Sequence, residues 1–180
     1  MSISNKLIPY LFVISYLIIF RLIPHPPNFT PIIATAILAP YLIKNKFTSC
    51  LMILISMFIS DLFLGLHQLM LFVYIPLIIT VFVSNYVKYL YNKYLTVFSL
   101  SILSSVLFFV FSNFGVWLVF DLYSKDLNGL LQCYVMAIPF FKNTFLSTLF
   151  FSVTFIAIYE IILHMLSKKS IYRLQWLSKD

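Results

Sequence analysis

Nine side chains that are suited to binding a small molecule stand out in an otherwise apolar chain. They are His25, Asn28, Asp61, His67, Asn113, Trp117, Asp121, Gln132 and Tyr134. Imidazole, carboxylate and amide groups form directional hydrogen bonds, and an indole ring offers a flat stacking surface. Asn113, Trp117 and Asp121 are spaced by four residues, so they are predicted to share one face of a helix. Together these residues predict a polar pocket that binds a small organic solute.

Several of these residues also have a structural interpretation. Asp61 either binds a solute or has a structural role, in which it caps a helix or pairs with Arg21. Trp117 either lines the pocket or anchors a helix at the membrane interface. Asp61, His25 and His67 are also the residue types that bind transition metals. Their spacing matches no established ligand motif, so no metal site is assigned.

The chain lacks the motifs of the common catalytic centres. It contains no Gly-Xaa-Ser-Xaa-Gly, no His-Glu-Xaa-Xaa-His and no glycine-rich phosphate loop. With three glycines in total, it cannot build a nucleotide-binding loop. We therefore predict a protein that is not an enzyme, that carries no cofactor and that cannot energise transport by itself.

Composition determines the class of protein that must position these residues. Of the 180 residues, 62% are hydrophobic and 9% are charged, whereas about 25% are charged in an ordinary soluble domain. A soluble fold of this size has too little interior to bury that much apolar surface. The sequence therefore predicts an all-α integral membrane protein with a single domain, residues 1–180.

Hydrophobic stretches divide the chain into six predicted transmembrane helices. They cover residues 7–23, 31–43, 48–65, 69–87, 95–120 and 144–166, followed by a basic cytoplasmic tail at 167–180. The proline-rich stretch 24–31 ends the first span. Residues 128–141 are apolar but too short to cross a bilayer, and are predicted to form a re-entrant or surface segment before the last helix.

The distribution of basic residues predicts the orientation in the membrane. With six spans and an internal N-terminus, nine basic residues are cytoplasmic: Lys6, Lys44, Lys46, Lys88, Lys93, Lys168, Lys169, Arg173 and Lys179. Three, Arg21, Lys125 and Lys142, are external. This asymmetry predicts a multi-pass protein of the inner (cytoplasmic) membrane with both termini in the cytoplasm. The net charge of +7 is then explained by anionic lipid, without nucleic acid.

The second predicted helix carries small residues that permit close helix packing. Thr35 and Ala39 are four residues apart, with Ala36 beside them, and such pairs let two helix backbones approach each other. The neighbouring helix belongs either to the same chain or to a separate membrane subunit. In the second case these three residues form a partner interface.

Four stretches of the chain resemble a known family. They are Arg21-Leu-Ile-Pro-His-Pro-Pro-Asn-Phe-Thr-Pro31, Ile59-Ser-Asp-Leu-Phe-Leu-Gly65, Ser112-Asn-Phe-Gly-Val-Trp117, and Cys133-Tyr134 with Ile138-Pro-Phe-Phe141. They resemble an uncharacterised bacterial family of membrane transport proteins, which is similar to the substrate-binding subunits (S components) of energy-coupling factor (ECF) transporters. The resemblance implies six helices, internal termini and a vitamin-sized ligand bound from outside.

The same resemblance implies partners, and the sequence departs from it at two points, one of which is the lack of a ligand-specific signature of a known vitamin class. The partners are two cytoplasmic ATPases and a transmembrane coupling subunit. S components commonly carry an Ala-xxx-Ala motif on the first helix. Residues 7–23 have none, and the nearest equivalent is in residues 31–43.

We therefore expect a substrate-binding subunit that takes up a small organic solute, such as a vitamin or its precursor, from the outer side. The 25–28 loop and the 128–141 segment are expected to close over the solute. The alternatives are a stand-alone carrier without ATPases, a non-catalytic membrane scaffold or assembly protein, and, with least support, an intramembrane enzyme using Asp61 and the histidines.

Overall fold

A computed structural model describes residues 3–43, 45–88 and 92–177. Within these residues the chain forms six α-helices and no strand. They are α1 (Ile3–Leu22), α2 (Ile32–Leu42), α3 (Lys46–Leu64), α4 (Met70–Val87), α5 (Lys93–Val119) and α6 (Leu127–Leu177). Lys44 and Lys179, both predicted to be cytoplasmic, lie outside the described residues.

Most of the helical residues lie in helices with the length and apolar composition of membrane spans. Four segments are long and apolar enough to cross a bilayer: α3, α4, α5 and residues Leu127–Ile161 of α6. The apolar part of α1, Tyr10–Leu22, and the whole of α2 are shorter. At 1.5 Å per residue, the 11 residues of α2 extend only about 16 Å, about half the thickness of the hydrocarbon core.

The predicted break before the last helix is wrong. Residues 128–141 are the first part of α6, which runs without interruption for 51 residues. Pro139 lies inside this helix, because a proline removes one N–H donor without obliging a helix to end. Packing favours continuity, since Tyr134 and Phe141 both contact Phe109 of α5, with ring centroids 5.5 and 5.0 Å away. The residues predicted as a tail from 167 are helical as far as Leu177.

The start of α6 is fixed by a carboxylate cap. Asp126 accepts hydrogen bonds from the Gly129 amide at 2.7 Å and from the Ser124 hydroxyl at 2.8 Å. These bonds hold the pKa of Asp126 below its usual value. A Cβ at Gly129 would lie 2.0 Å from the Ser124 carbonyl oxygen, so this turn requires glycine.

Contacts between helix ends show how the bundle is arranged. The end of α1 meets the end of α3, where Arg21 donates to the Met57 carbonyl. The end of α4 meets α2, where Ser84 donates to the Ile37 carbonyl, and the start of α5 meets α6 through Lys93 and Glu160. We call the end with loops 23–31, 65–69 and 120–126 the upper end, and the end where α2 and α4 finish and α3 and α5 begin the lower end.

Helix α2 lies in the centre of the bundle and packs against α3, α4, α5 and α6. Its residues from Ile32 to Pro40 are all buried, as expected for a helix that is hydrophobic on every face. Thr35, Ala36 and Ala39 are 6%, 0% and 4% exposed. Their neighbours are therefore helices of the same chain, which was one of the two alternatives left open by the sequence. Such buried side chains present no surface to a separate subunit.

Hydroxyl groups line the buried interface between α5 and α6. Ser101, Ser105 and Thr148 each donate to a backbone carbonyl four residues earlier, at 2.7 to 2.8 Å, and Ser101 lies 3.3 Å from the hydroxyl of Ser152. These bonds satisfy the polar groups within the helices. The small side chains then let α5 and α6 pack closely.

Candidate solute-binding site

A buried ion pair joins α1 to α3 at the upper end of the bundle. Arg21, in the last turn of α1, places Nη2 2.6 Å from Oδ1 of Asp61, in the last turn of α3. The two side chains are 14% and 1% exposed. Nη1 of Arg21 also donates to the Met57 carbonyl at 3.0 Å and to the Ser60 hydroxyl at 2.6 Å. The pairing of Asp61 with Arg21, one of the alternatives from the sequence, is confirmed.

Tyr74 of α4 completes the surroundings of the carboxylate. Its hydroxyl donates to Oδ2 of Asp61 at 2.5 Å, and Nε2 of His67 lies 3.9 Å from the same oxygen. A carboxylate buried at membrane depth is costly unless it is paired and hydrogen-bonded. Oδ2 of Asp61 is hydrogen-bonded to Tyr74 and Oδ1 is ion-paired with Arg21, although Oδ1 has no hydrogen-bond partner among the described residues. Asp61 thus has partners on two other helices and ties α1, α3 and α4 together.

A cavity of about 380 Å³ adjoins this ion pair. Its volume is within the usual range for small-molecule sites, about 300–1,000 Å³. Both polar and apolar side chains line it: Arg21, His25, Asn28, Thr30, Ile32, Ile33, Met57, Leu64, His67, Val73, Leu77, Phe108 and Thr144. It therefore brings together three predicted site residues, His25, Asn28 and His67, beside the buried Asp61.

The proline-rich loop 23–31 forms one wall of the cavity and is fastened to α6. The Pro27 carbonyl accepts a hydrogen bond from the Asn143 side-chain amide at 3.0 Å, and the Asn28 carbonyl accepts one from the Ser147 hydroxyl at 3.3 Å. Asn28 has φ of 61°, in the left-handed region that asparagine tolerates better than most residues. The residues of α6 that fasten the loop, Asn143 and Ser147, lie beyond the 128–141 segment that was expected to close over the solute with it.

Two variants of Asn28 distinguish the contribution of its left-handed φ to stability from the contribution of its side chain. We expect Asn28→Ala to lower the free energy of unfolding by about 1 kcal/mol, because alanine pays the steric cost of a left-handed φ. Asn28→Gly should keep near wild-type stability, since glycine adopts this φ freely. Thermal unfolding of the two purified variants measures the difference. Equal losses in both would show that the side chain, and not φ, accounts for the stability.

The other five predicted residues lie on α5, in the 120–126 loop and at the start of α6. The Asn113 amide donates to the Phe109 carbonyl at 2.8 Å, the Trp117 indole to the Ser124 carbonyl at 2.8 Å, and the Tyr134 hydroxyl to the Val110 carbonyl at 2.9 Å. Gln132 is exposed on α6. The structure does not bring these residues into the cavity.

The predicted shared face of Asn113, Trp117 and Asp121 is also wrong at one position. Helix α5 ends at Val119, so the four-residue spacing no longer places Asp121 on that face. Its side chain is 98% exposed and lies 3.5 Å from Lys125. Lys125 in turn donates to the Trp117 and Phe120 carbonyls, and so fixes the 120–126 loop over the end of α5.

Residues that the sequence did not single out also shape the cavity. Tyr74 is one of 12 tyrosines and had no distinguishing pattern, although a buried Asp61 needs a second donor. Phe108 and Thr144 reach the cavity from α5 and α6. Among the described residues, no three His, Cys, Asp or Glu side chains come together as a metal site, so the transition-metal alternative has no ligand set there.

Comparison with known proteins gives a family and no further relative. No curated protein and no solved structure matches the chain. Residues 1–170 match the model of DUF6580, a family of unknown function. This range includes every residue that lines the cavity. The chain therefore belongs to the DUF6580 family of unknown function.

Proposed function

We propose that this chain is a membrane-embedded solute-binding protein that takes up a small organic solute through the cavity at its upper end. The observation that carries the proposal is the cavity itself. A space of about 380 Å³ lies against a buried ion pair in a bundle of apolar helices. Ionisable residues at membrane depth are by default functional candidates, because burying them is costly.

The two kinds of wall suit a solute of vitamin size, or a vitamin precursor. Apolar side chains such as Ile33, Leu77 and Phe108 offer contact to a ring or hydrocarbon body. Polar side chains of Arg21, His25 and Asn28 offer hydrogen bonds to its substituents. A mostly apolar lining with a few convergent polar groups is typical of small-molecule sites.

In this proposal the upper end faces the outside of the cytoplasmic membrane. The basic residues Lys46, Lys88 and Lys93 lie at the lower end, where the positive-inside rule favours the cytoplasm. Six crossings then place both termini in the cytoplasm. Helix α2 is too short to cross alone, so the 23–31 loop completes its crossing.

The resemblance to S components supplies the proposed energy source. A transmembrane coupling subunit and cytoplasmic ATPases would drive release of the solute inward. Because Thr35, Ala36 and Ala39 are buried, such a subunit has to contact other surfaces. A coupling subunit that copurifies with the chain supports this arrangement, whereas solute uptake into liposomes by the chain alone supports a stand-alone carrier.

A pair of tryptophan variants on α4 tests the proposal. Val73 lines the cavity, whereas Leu71 is 69% exposed on the outside of the bundle. Thermal unfolding of the wild type is measured against a panel of vitamins and their precursors, since a ligand at a thousandfold excess over Kd adds about 4 kcal/mol of stability. We expect Val73→Trp to abolish the shift that a solute produces and Leu71→Trp to retain it.

Two outcomes would contradict the proposal. An undiminished shift in Val73→Trp would place the solute outside this cavity. No shift of the wild type with any solute, together with a stable copurifying membrane partner, would favour the scaffold or assembly alternative.

A further inference from the structure

We infer that the cavity selects solutes that join an anionic group, such as a carboxylate, to an apolar body. The inference rests on the proposed function and adds the class of solute. Its basis is the set of polar side chains in the cavity wall. Among the described residues that line the cavity there is one guanidinium, Arg21, and two imidazoles, His25 and His67, but no carboxylate.

Arg21 keeps hydrogen-bonding capacity despite its ion pair. A guanidinium has five N–H donors. Within the described part of the chain, Nη1 has two acceptors, the Met57 carbonyl and the Ser60 hydroxyl, whereas Nη2 faces Oδ1 of Asp61 as an ion pair without a hydrogen bond. The side chain is 14% exposed and lines the cavity. The N–H groups on Nε and Nη2 are therefore available to an oxygen acceptor on the solute, and carboxylates match guanidinium geometry well.

Asp61 does not offer the matching attraction to a cation. Its Oδ1 is held by Arg21 and its Oδ2 by Tyr74, and the side chain is 1% exposed. It is also not among the residues that line the cavity. Asp61 is thus a positioning residue, which fixes the guanidinium at the wall without lining the cavity itself.

The orientation of α2 adds to the same preference. Ile32 and Ile33, its first residues, line the cavity, so the positive end of the helix dipole lies at this site. No side chain caps this end, and the first turn closes with the Thr35 amide on the Pro31 carbonyl. The amides before Thr35 have no carbonyl within the helix to bond, and a nearby negative charge is favoured there.

The apolar wall requires that the anion carry a hydrocarbon or ring. Ile33, Val73, Leu77 and Phe108 all line the same space. A small inorganic anion would leave these side chains in contact with water. A monocarboxylate with a compact apolar body contacts both walls at once.

Three probes of matched shape test the inference: 3-phenylpropionate, 3-phenylpropionamide and 3-phenylpropylamine. Their binding to the wild type is measured by calorimetry in phosphatidylcholine nanodiscs. We expect the carboxylate to bind at least about tenfold more tightly than the amide or the amine, as one charge-assisted pair provides. Equal or tighter binding of the amide or the amine overturns the inference, and so does failure of all three to bind.

Variants identify the origin of the preference. Arg21→Met alone leaves Asp61 unpaired, so the double variant Arg21→Met with Asp61→Asn is used. The neutral side-chain amide introduced by Asp61→Asn can still accept a hydrogen bond from the Tyr74 hydroxyl. This variant should bind the carboxylate no more tightly than the amide, while Leu71→Trp keeps the wild-type ratio. A preference that survives in the double variant would assign it to another group and overturn the inference.

Two further arms separate the possible failures. If Val73→Trp blocks binding of panel solutes but the probes show no charge preference, the inference fails and the proposed function stands. If Val73→Trp blocks nothing, the proposed function itself fails. If phosphatidylglycerol in the nanodisc abolishes binding of the carboxylate, the anion site belongs to a lipid headgroup, and the inference about a solute is overturned.

Discussion

Replacing Arg21 by methionine should lower the free energy of unfolding by about 3–5 kcal/mol, the usual loss when one partner of a buried ion pair is removed. The reason is the environment of Asp61, whose side chain is 1% exposed and whose Oδ1 depends on Arg21. The Met57 carbonyl and the Ser60 hydroxyl lose a donor in the same step. Reversible unfolding of the purified variant in nanodiscs measures the loss.

Two further variants show whether the loss comes from the unpaired carboxylate. Adding Asp61→Asn to Arg21→Met should recover much of the stability, because the side-chain amide is neutral and its oxygen still accepts a hydrogen bond from the Tyr74 hydroxyl. Lys142→Met removes the same charge from an exposed position and should change stability by less than about 0.5 kcal/mol. A double variant as unstable as Arg21→Met alone would contradict the explanation.

The Arg21–Asp61 pair is the part of the site that the sequence predicts best. The chain has only five acidic residues, and a carboxylate within an apolar helix needs a cation. Arg21 ends α1 and Asp61 lies near the end of α3, so connectivity alone places both at one end of the bundle. The contact of Tyr74 with Asp61 could not be predicted, because nothing in the sequence distinguishes Tyr74 from the other tyrosines. Only the packing of α4 against α3 does so.

The sequence also could not predict which of the predicted pocket residues line the cavity and which lie outside it. The sequence shows that His25 and Trp117 belong to the same end of the bundle, but not to which side of it. That depends on how each helix is rotated about its axis, and many distant contacts set the rotation. Trp117 binds the Ser124 carbonyl, whereas His25 lies in the cavity wall.

Helix boundaries were predictable where the chain itself marks them. Asn45 and Asn92 cap α3 and α5 by accepting amide hydrogen bonds, and the predicted spans begin within three residues of these caps. The 128–141 segment was predicted to be separate because it is too short to cross a bilayer, but packing of Tyr134 and Phe141 against α5 favours a continuous α6. A single apolar sequence fits either outcome, so only the tertiary contact decides.

Lys88 should be the second residue whose replacement affects the fold strongly. Its side chain is buried, and its ammonium donates to the Pro40 carbonyl at 2.6 Å and to the Asn85 side chain at 3.0 Å. Pro40 lies in the last turn of α2, where carbonyls have no partner within the helix and where a cation is favoured by the dipole. We expect Lys88→Met to cost about 2–3 kcal/mol, because it leaves a buried acceptor unpaired.

Two comparison variants show whether the stability lost in Lys88→Met comes from the capping of α2. Ser84→Ala removes a neutral donor from the Ile37 carbonyl and should cost about 1 kcal/mol. Lys46→Met removes a cation that lies over the rings of Phe47 and Phe82 and should cost less than about 1 kcal/mol. Unfolding in nanodiscs ranks the three variants by their loss of stability. A loss for Lys88→Met no larger than for Lys46→Met would contradict the capping role.

Since the other end of α2 forms part of the cavity wall, Lys88→Met should also weaken solute binding, although Lys88 lies at the opposite end of the bundle.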